Sequence, residues 1–208
     1  LGAQGIVSLL NEYFTLMVDI LTEEGGMLDK FIGDAVMAIF GTPFPHEDDP
    51  DRAVKASIRM MEELHRYNLR RAQHNQQPID IGIGLNTGHV VSGNIGSPRR
   101  MDYTVIGDGV NLAARLESAT KQYGAHILVS EFTMDELKSS YRHRLVDNVV
   151  VKGKTEPVGV YELLDYHGED TFPNMIEALG AFRDGMECYQ AGKWDDARVS
   201  FKQVLRLN

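Results

Sequence analysis

Between residues 79 and 85 the chain reads Ile-Asp-Ile-Gly-Ile-Gly-Leu, apolar at Ile79, Ile81, Ile83 and Leu85 and polar or glycine between them. A period of two belongs to a strand with one buried face, so this stretch must find a sheet rather than a helix. The segment upstream shows the other period. Ile6, Leu9, Leu10, Tyr13, Met17 and Leu21 recur at three- and four-residue spacing until Gly25-Gly26 ends the pattern. Ala53, Ser57, Met60, Met61, Leu64 and Tyr67 do the same after Pro50, which follows the acidic Glu47-Asp48-Asp49. Helices and strands therefore share one core.

Hairpins punctuate the same region. Residues 27–31 and the apolar run 35–40 are joined through Ile32-Gly33-Asp34, and 90–95 and 101–106 flank Gly96-Ser97-Pro98-Arg99-Arg100. A helix is expected from about 109 to 121, a strand at 126–129, a short helix capped by Ser130, and a last strand pair at 145–151 and 158–164 around the turn 152–157. This alternation predicts an α+β fold with helices packed on a mixed or antiparallel sheet. After Tyr166 the composition shifts. A polar linker, 167–173, leads to Gly185, Tyr189, Gly192, Trp194, Ala197, Phe201 and Leu205, whose spacing fits a tetratricopeptide-like (TPR-like) helical hairpin as well as a plain helix pair. The domain reading is 1–166 for the main domain and 167–208 for the linker and helical segment.

The 208 residues carry 21 Lys+Arg against 30 Asp+Glu, a net charge of −9. That balance argues against the broad basic face that coats nucleic acid or anionic membrane, and no nucleic-acid partner is expected. The apolar run 35–40 stops at Gly41, short of the roughly 20 residues that span a bilayer, and no charged-then-apolar leader opens the chain. A single cysteine, Cys188, leaves no internal disulfide and no cysteine zinc cage. A cytoplasmic location is the expectation. The chain opens on Leu1 rather than Met, as an excerpt of a longer protein would.

Two stretches carry chemistry. In Tyr103-Thr104-Val105-Ile106-Gly107-Asp108-Gly109-Val110-Asn111-Leu112-Ala113-Ala114-Arg115, Asn111 and Arg115 lie four apart and project from one helical face among small and apolar neighbours. A guanidinium held there cannot deprotonate and suits a phosphate that gains charge in a transition state. Taken alone, the pair reads first as an ordinary exposed helix pair. In Leu28-Asp29-Lys30-Phe31-Ile32-Gly33-Asp34-Ala35-Val36-Met37-Ala38-Ile39-Phe40, Asp34 stands at a hairpin bend. A carboxylate so placed is either a turn residue or a hard oxygen ligand for Mg²⁺ against substrate phosphates.

These two segments, with Ile81-Gly82-Ile83-Gly84-Leu85-Asn86-Thr87-Gly88 between them, resemble the catalytic domain of class III nucleotidyl cyclases over about residues 1–164. Within that family the chain is similar to soluble bacterial adenylyl cyclases of the cyanobacterial, bicarbonate-responsive type. The resemblance implies a ferredoxin-like βαββαβ core with extra hairpins and conversion of ATP to 3′,5′-cyclic AMP and pyrophosphate. It also implies two Mg²⁺ or Mn²⁺ ions and a homodimer with composite active sites. It assigns Asp34 to metal, Lys30 and Thr104 to purine selection, Asn111 to the ribose and Arg115 to the α-phosphate. The resemblance also places Arg99 and Lys152 in loops where the family contacts the terminal phosphates. Thr104, where many relatives carry Asp, is associated with bicarbonate activation.

One departure stands against this. The family's first metal aspartate lies on an opening strand that would precede Leu1, and Glu12 and Asp19, within the helical pattern, do not replace it. A non-catalytic cyclase-like module that binds nucleotide or a partner is therefore the competing expectation. Weaker signals reduce to ordinary structure. Glu47-Asp48-Asp49 and Asp51 suit a helix start, Gly82-Ile83-Gly84 lies inside a strand rather than a phosphate loop, and the seven histidines show no metal-ligand spacing.

Overall fold

The computed structural model describes residues 2–150 and 157–207. The opening period folds as α1 (Ala3–Glu23), which ends where Gly25 takes a left-handed φ of 75°. The first hairpin is β1 (Met27–Ile32) and β2 (Ala35–Ile39). Then comes α2 (Asp49–Gln73), with Pro50, Asp49 and Asp51 in its first turn. The order continues with β3 (Ile83–Leu85), the second hairpin β4 (Val91–Ser97) and β5 (Arg100–Ile106), α3 (Asp108–Tyr123) and β6 (Ile127–Ser130). It closes with the one-turn α4 (Glu131–Met134), β7 (His143–Val149), β8 (Val158–Leu163), α5 (Met175–Gln190) and α6 (Trp194–Leu207).

β6 is the spine of a four-stranded mixed sheet ordered β3-β6-β8-β7, in which β3 runs parallel to β6 and the other neighbours are antiparallel. Every residue of β6 is buried, and the pleat sends alternate side chains to opposite faces. Ile127 and Val129 join Tyr13 and Met17 of α1 and Val54, Met61, Leu64 and Tyr67 of α2. Leu128 joins Leu112 and Leu116 of α3 with Val158 and Val160 of β8. Each such aliphatic side chain contributes about 1.5–3 kcal/mol of burial, so the two helical layers hold the sheet from both sides. The two hairpins form ladders of their own beside this sheet.

The alternating stretch folds differently from its pattern at one end. Ile79, Ile81, Ile83 and Leu85 all pack against the α1/α2 core, but only Ile83–Leu85 joins the ladder. At Ile79 the backbone is instead held by a side chain. Asn68 Nδ2 donates to the Ile79 carbonyl at 2.8 Å, and the Ile79 N–H donates to Asn68 Oδ1 at 2.8 Å. An amide that satisfies both groups removes the need for a strand partner. The acidic start of α2 is likewise more than a dipole effect. Asp51 is buried and accepts hydrogen bonds from the Lys138 and Ser139 N–H groups and the Tyr141 hydroxyl at 2.8, 3.0 and 3.0 Å, tying α2 to the segment after α4.

α3 approaches the sheet at glycines. A Cβ at Gly84 would lie 2.3 Å from both the Ala113 carbonyl oxygen and the Glu117 nitrogen, and one at Gly82 would lie 2.0 Å from Thr120 Oγ1. These glycines serve helix–sheet contact. By length and composition α1 is apolar enough to cross a membrane, and it packs Tyr13, Met17, Ile20 and Leu21 inward. α5 and α6 pack together as a helical hairpin. It is fastened to the end of β8 by Leu164, Phe172, Met175 and Ala178.

Substituting Gly84→Ala should destabilise the domain by about 3 kcal/mol, because the obstruction is backbone and cannot swing aside; a lower midpoint in urea unfolding measures it. Asp51 gives a pH test. Burial pushes its carboxyl up, but the hydrogen bonds from Lys138, Ser139 and Tyr141 outweigh that and hold it below the usual range. A group depressed in the folded state stabilises above its unfolded value of roughly pH 4 and loses that contribution as pH falls through the folded value. Asp51→Asn should therefore unfold with a shallower acid dependence below pH ~4 than the parent chain, as followed by circular dichroism.

Candidate active site

The first hairpin is irregular where it matters. Leu28 pairs with Ala38 and Lys30 with Met37, so Asp29 is an extra residue opposite no partner, a β-bulge. In a regular strand neighbouring side chains point to opposite faces, whereas a bulge re-aims them. Asp29 and Lys30 consequently lie together, with Lys30 Nζ 3.3 Å from Asp29 Oδ2. The Asp29 side chain is 0% exposed and that of Lys30 is 41% exposed. From the other hairpin, the buried Thr104 donates its hydroxyl to the same Asp29 Oδ2 at 2.9 Å. Lys30 and Thr104, assigned together from the sequence, thus meet at one carboxylate where β1 touches β5. Asp29 Oδ1 is buried and has no hydrogen-bond partner among the described residues.

Asp34 occupies the exposed turn between β1 and β2. Its negative charge reaches Tyr13, whose phenol is pushed up first by burial and then by Asp34. Among the described residues no three His, Cys, Asp or Glu side chains gather to hold a metal ion.

Asn111 and Arg115 are one turn apart on the exposed face of α3 and line an open concavity of about 530 Å³ with Ala114, Ser118, Ala119 and Gln122. The start of that helix is held firmly. Gly107, in a backbone conformation with φ of 151° that suits glycine, accepts from the Val110 N–H at 3.2 Å. Asn86 Nδ2 donates to the Gly109 carbonyl at 3.0 Å while Asn86 Oδ1 accepts from Ser130 Oγ at 2.7 Å. The helix face that carries Asn111 and Arg115 is thereby tied to the ends of β3 and β6.

Arg99 stands elsewhere, at the exposed tip of the second hairpin between β4 and β5. Four strand residues lie between it and Thr104, which is five steps and roughly 16 Å along the chain. Lys152 lies outside the described residues. Sequence reasoning missed Asp29 and Asn86. An acidic residue within the apolar strand pattern next to Lys30 was a visible signal for the first. The bond to Gly109 that gives Asn86 its role joins residues 23 apart, which no local pattern reveals.

Comparison with known proteins places this geometry. The chain is 37% identical over 208 residues to the terminal-differentiation-specific adenylate cyclase of Dictyostelium discoideum, covering 97% of this chain and 10% of that protein. It is 41% identical over 165 residues to an adenylate cyclase of Anabaena cylindrica, covering 76% of this chain and 32% of that protein. The chain therefore spans at most about a third of these relatives' length. Among solved structures, the adenylyl cyclase CyaB from P. aeruginosa superposes with a TM-score of 0.70 at 38% identity, over 79% of this chain and 85% of that one. Residues 2–165 match the adenylate and guanylate cyclase catalytic domain, and the chain belongs to that family.

Proposed function

We propose that this chain is the catalytic domain of an adenylyl cyclase that converts ATP to 3′,5′-cyclic AMP and pyrophosphate. The family name spans both purines, so the reading rests on the base site. The observation that carries it is the meeting of Lys30 and Thr104 at Asp29. An ammonium donates to the adenine ring nitrogen, and a hydroxyl oxygen accepts from the exocyclic amine beside it. Guanine presents a ring N–H and a carbonyl at the same two positions, opposite in both senses.

In the reaction the ribose 3′-oxygen bonds to the α-phosphorus, the bond from that phosphorus to the bridging oxygen breaks, pyrophosphate leaves and the hydroxyl proton passes to solvent. Asn111 orients the ribose, and holding the 3′-oxygen in line lowers the barrier by removing the entropy of alignment. Arg115 neutralises the charge that gathers on the α-phosphate oxygens. Arg99 and Lys152 are assigned to the terminal phosphates. Class III cyclases generally use divalent metal ions; Asp34 is the carboxylate proposed for them here. A cytoplasmic placement, bicarbonate responsiveness through Thr104, a βαββαβ core and a TPR-like α5–α6 pair belong to the same reading.

The proposed assembly is a homodimer in which Asp34 and Arg99 serve one site while Lys30, Thr104, Asn111, Arg115 and Lys152 of the same chain serve the other. Apolar side chains on the two hairpins support it: Ile32, Val91, Met101 and Ile106 are all more than half exposed. Surface of that kind is what a partner covers. The alternative reading is a nucleotide-binding module without turnover.

Assay of the full-length protein with ATP and with GTP in Mn²⁺ buffer separates these readings. Cyclic AMP as the main product supports the first, no product from either supports the second, and a GTP preference overturns the base-site assignment. Lys30→Ala and Asp34→Ala should each reduce turnover about 100-fold or more, as loss of an aligned or charge-stabilising group does. After subunit exchange, their mixture should recover about a quarter of the parent activity, since half the dimers would be mixed and each would keep one of two sites. A mixture as inactive as its components would rule out composite sites.

A further inference from the structure

We infer that Asp29 is a specificity-positioning residue that selects adenine by setting the polarity of the Thr104 hydroxyl; the inference rests on the base-site reading above. A threonine hydroxyl has one proton and two acceptor lone pairs, and by itself it offers a base either sense of hydrogen bond. That freedom would let Thr104 serve guanine as well as adenine. Here the freedom is gone. The Thr104 proton is directed to Asp29 Oδ2 at 2.9 Å, and an ionised carboxylate accepts without donating. What Thr104 can turn toward a base is then lone pair alone. Lone pair meets the exocyclic amine of adenine favourably and the exocyclic oxygen of guanine unfavourably.

The same oxygen of Asp29 pairs with Lys30 Nζ at 3.3 Å, which holds the ammonium beside the hydroxyl. Protons not directed at the carboxylate remain for the ring nitrogen of adenine, and they oppose the ring N–H of guanine. One carboxylate thereby sets an acceptor and a donor side by side. Neither feature is expected of a carboxylate that only braces the fold. The bulge that brings Asp29 next to Lys30 interrupts an otherwise regular ladder. The side chain is 0% exposed, yet its Oδ1 has no hydrogen-bond partner among the described residues. A buried acceptor left without a partner calls for a reason, and the service of Oδ2 to Lys30 and Thr104 supplies one.

The test compares the parent, Asp29→Asn, Thr104→Val and the double variant. Asparagine matches aspartate in shape but can donate to Thr104, which frees the threonine proton for guanine. The primary readout is displacement of a fluorescent N-methylanthraniloyl ATP by ATP and by GTP, supported by turnover where it occurs. Asp29→Asn should lower the ratio of ATP to GTP preference by about tenfold or more, with GTP binding gained rather than ATP binding alone lost. In the Thr104→Val background the same change should leave the ratio unaltered, because no hydroxyl remains to turn. Thr104→Ser, which can still donate to Asp29, should retain the parent ratio. An Asp29→Asn protein that weakens for both nucleotides equally, that is unchanged, or that shows its full effect without the Thr104 hydroxyl overturns the inference. A parent that binds ATP preferentially without turnover would defeat the cyclase reading and leave this comparison intact. A parent that prefers GTP would defeat both.

Discussion

The contact between α3 and β3 sets the helix face that carries Asn111 and Arg115. With no Cβ at Gly84, the Ala113 and Glu117 backbone lies directly against the strand, and Gly82 makes the same room for Thr120. A helix that close cannot roll without lifting Leu112 and Leu116 from Leu128 and Val160 on the sheet. Its first turn is fixed independently by Asn86 and by the Gly107 backbone. The exposed face bearing Asn111 and Arg115 is thus set by packing on the opposite face. That is a physical requirement for electrostatic catalysis, since a charge stabilises a transition state best when it need not reorganise to do so.

The proposed base site is built on the opposite principle. Its elements are two hairpins that do not share a ladder with the central sheet, and what joins them there is polar. Removing a carboxylate from water is expensive unless it is paired, and Asp29 is paired at one oxygen only. The first hairpin also stacks Phe31 on Phe14 of α1, with ring centroids 4.2 Å apart, so apolar contact anchors it while the carboxylate directs it. Rigid packing sets the face that carries Asn111 and Arg115, and a buried charge joins Lys30 to Thr104.

Most of the fold was legible because periodicity is a local property. The turns at Gly25 and Gly33-Asp34 and the helix after Gly107 lie where glycine, aspartate and apolar spacing put them, whereas the connection expected over 96–100 tightens to Pro98-Arg99 because Gly96, Ser97 and Arg100 join the ladder. The short β3 was not legible, since its length depends on Asn68 satisfying Ile79 from a different element. Of the residues proposed from motif resemblance, the structure brings Lys30 and Thr104 together at Asp29 and sets Asn111 and Arg115 on one face of α3. Asp29 was not recognised because its role arises from a one-residue bulge and a partner 75 residues away. Alternation assigns a residue to a face, and a bulge changes the assignment.

Net charge and site charge are different quantities in this chain. The −9 balance supplies carboxylates in plenty, and the arginines of α2 are largely taken up by them: Arg59 by Glu23 and Glu24, Arg66 and Arg70 by Glu63, and Arg52 by Asp48 and Asp49. Arg99 and Arg115 have no such partner among the described residues. Isolation alone does not mark a binding group, because Arg198 and Arg206 of α6 are also unpaired there and only extend into solvent. What distinguishes Arg115 is its setting: a polar amide one turn away at Asn111, an open concavity along the same face, and a helix whose orientation is set by backbone contact. An acidic protein can hold a polyanion where a guanidinium is kept clear of its own carboxylates. In this fold, α3 keeps Arg115 clear in that way.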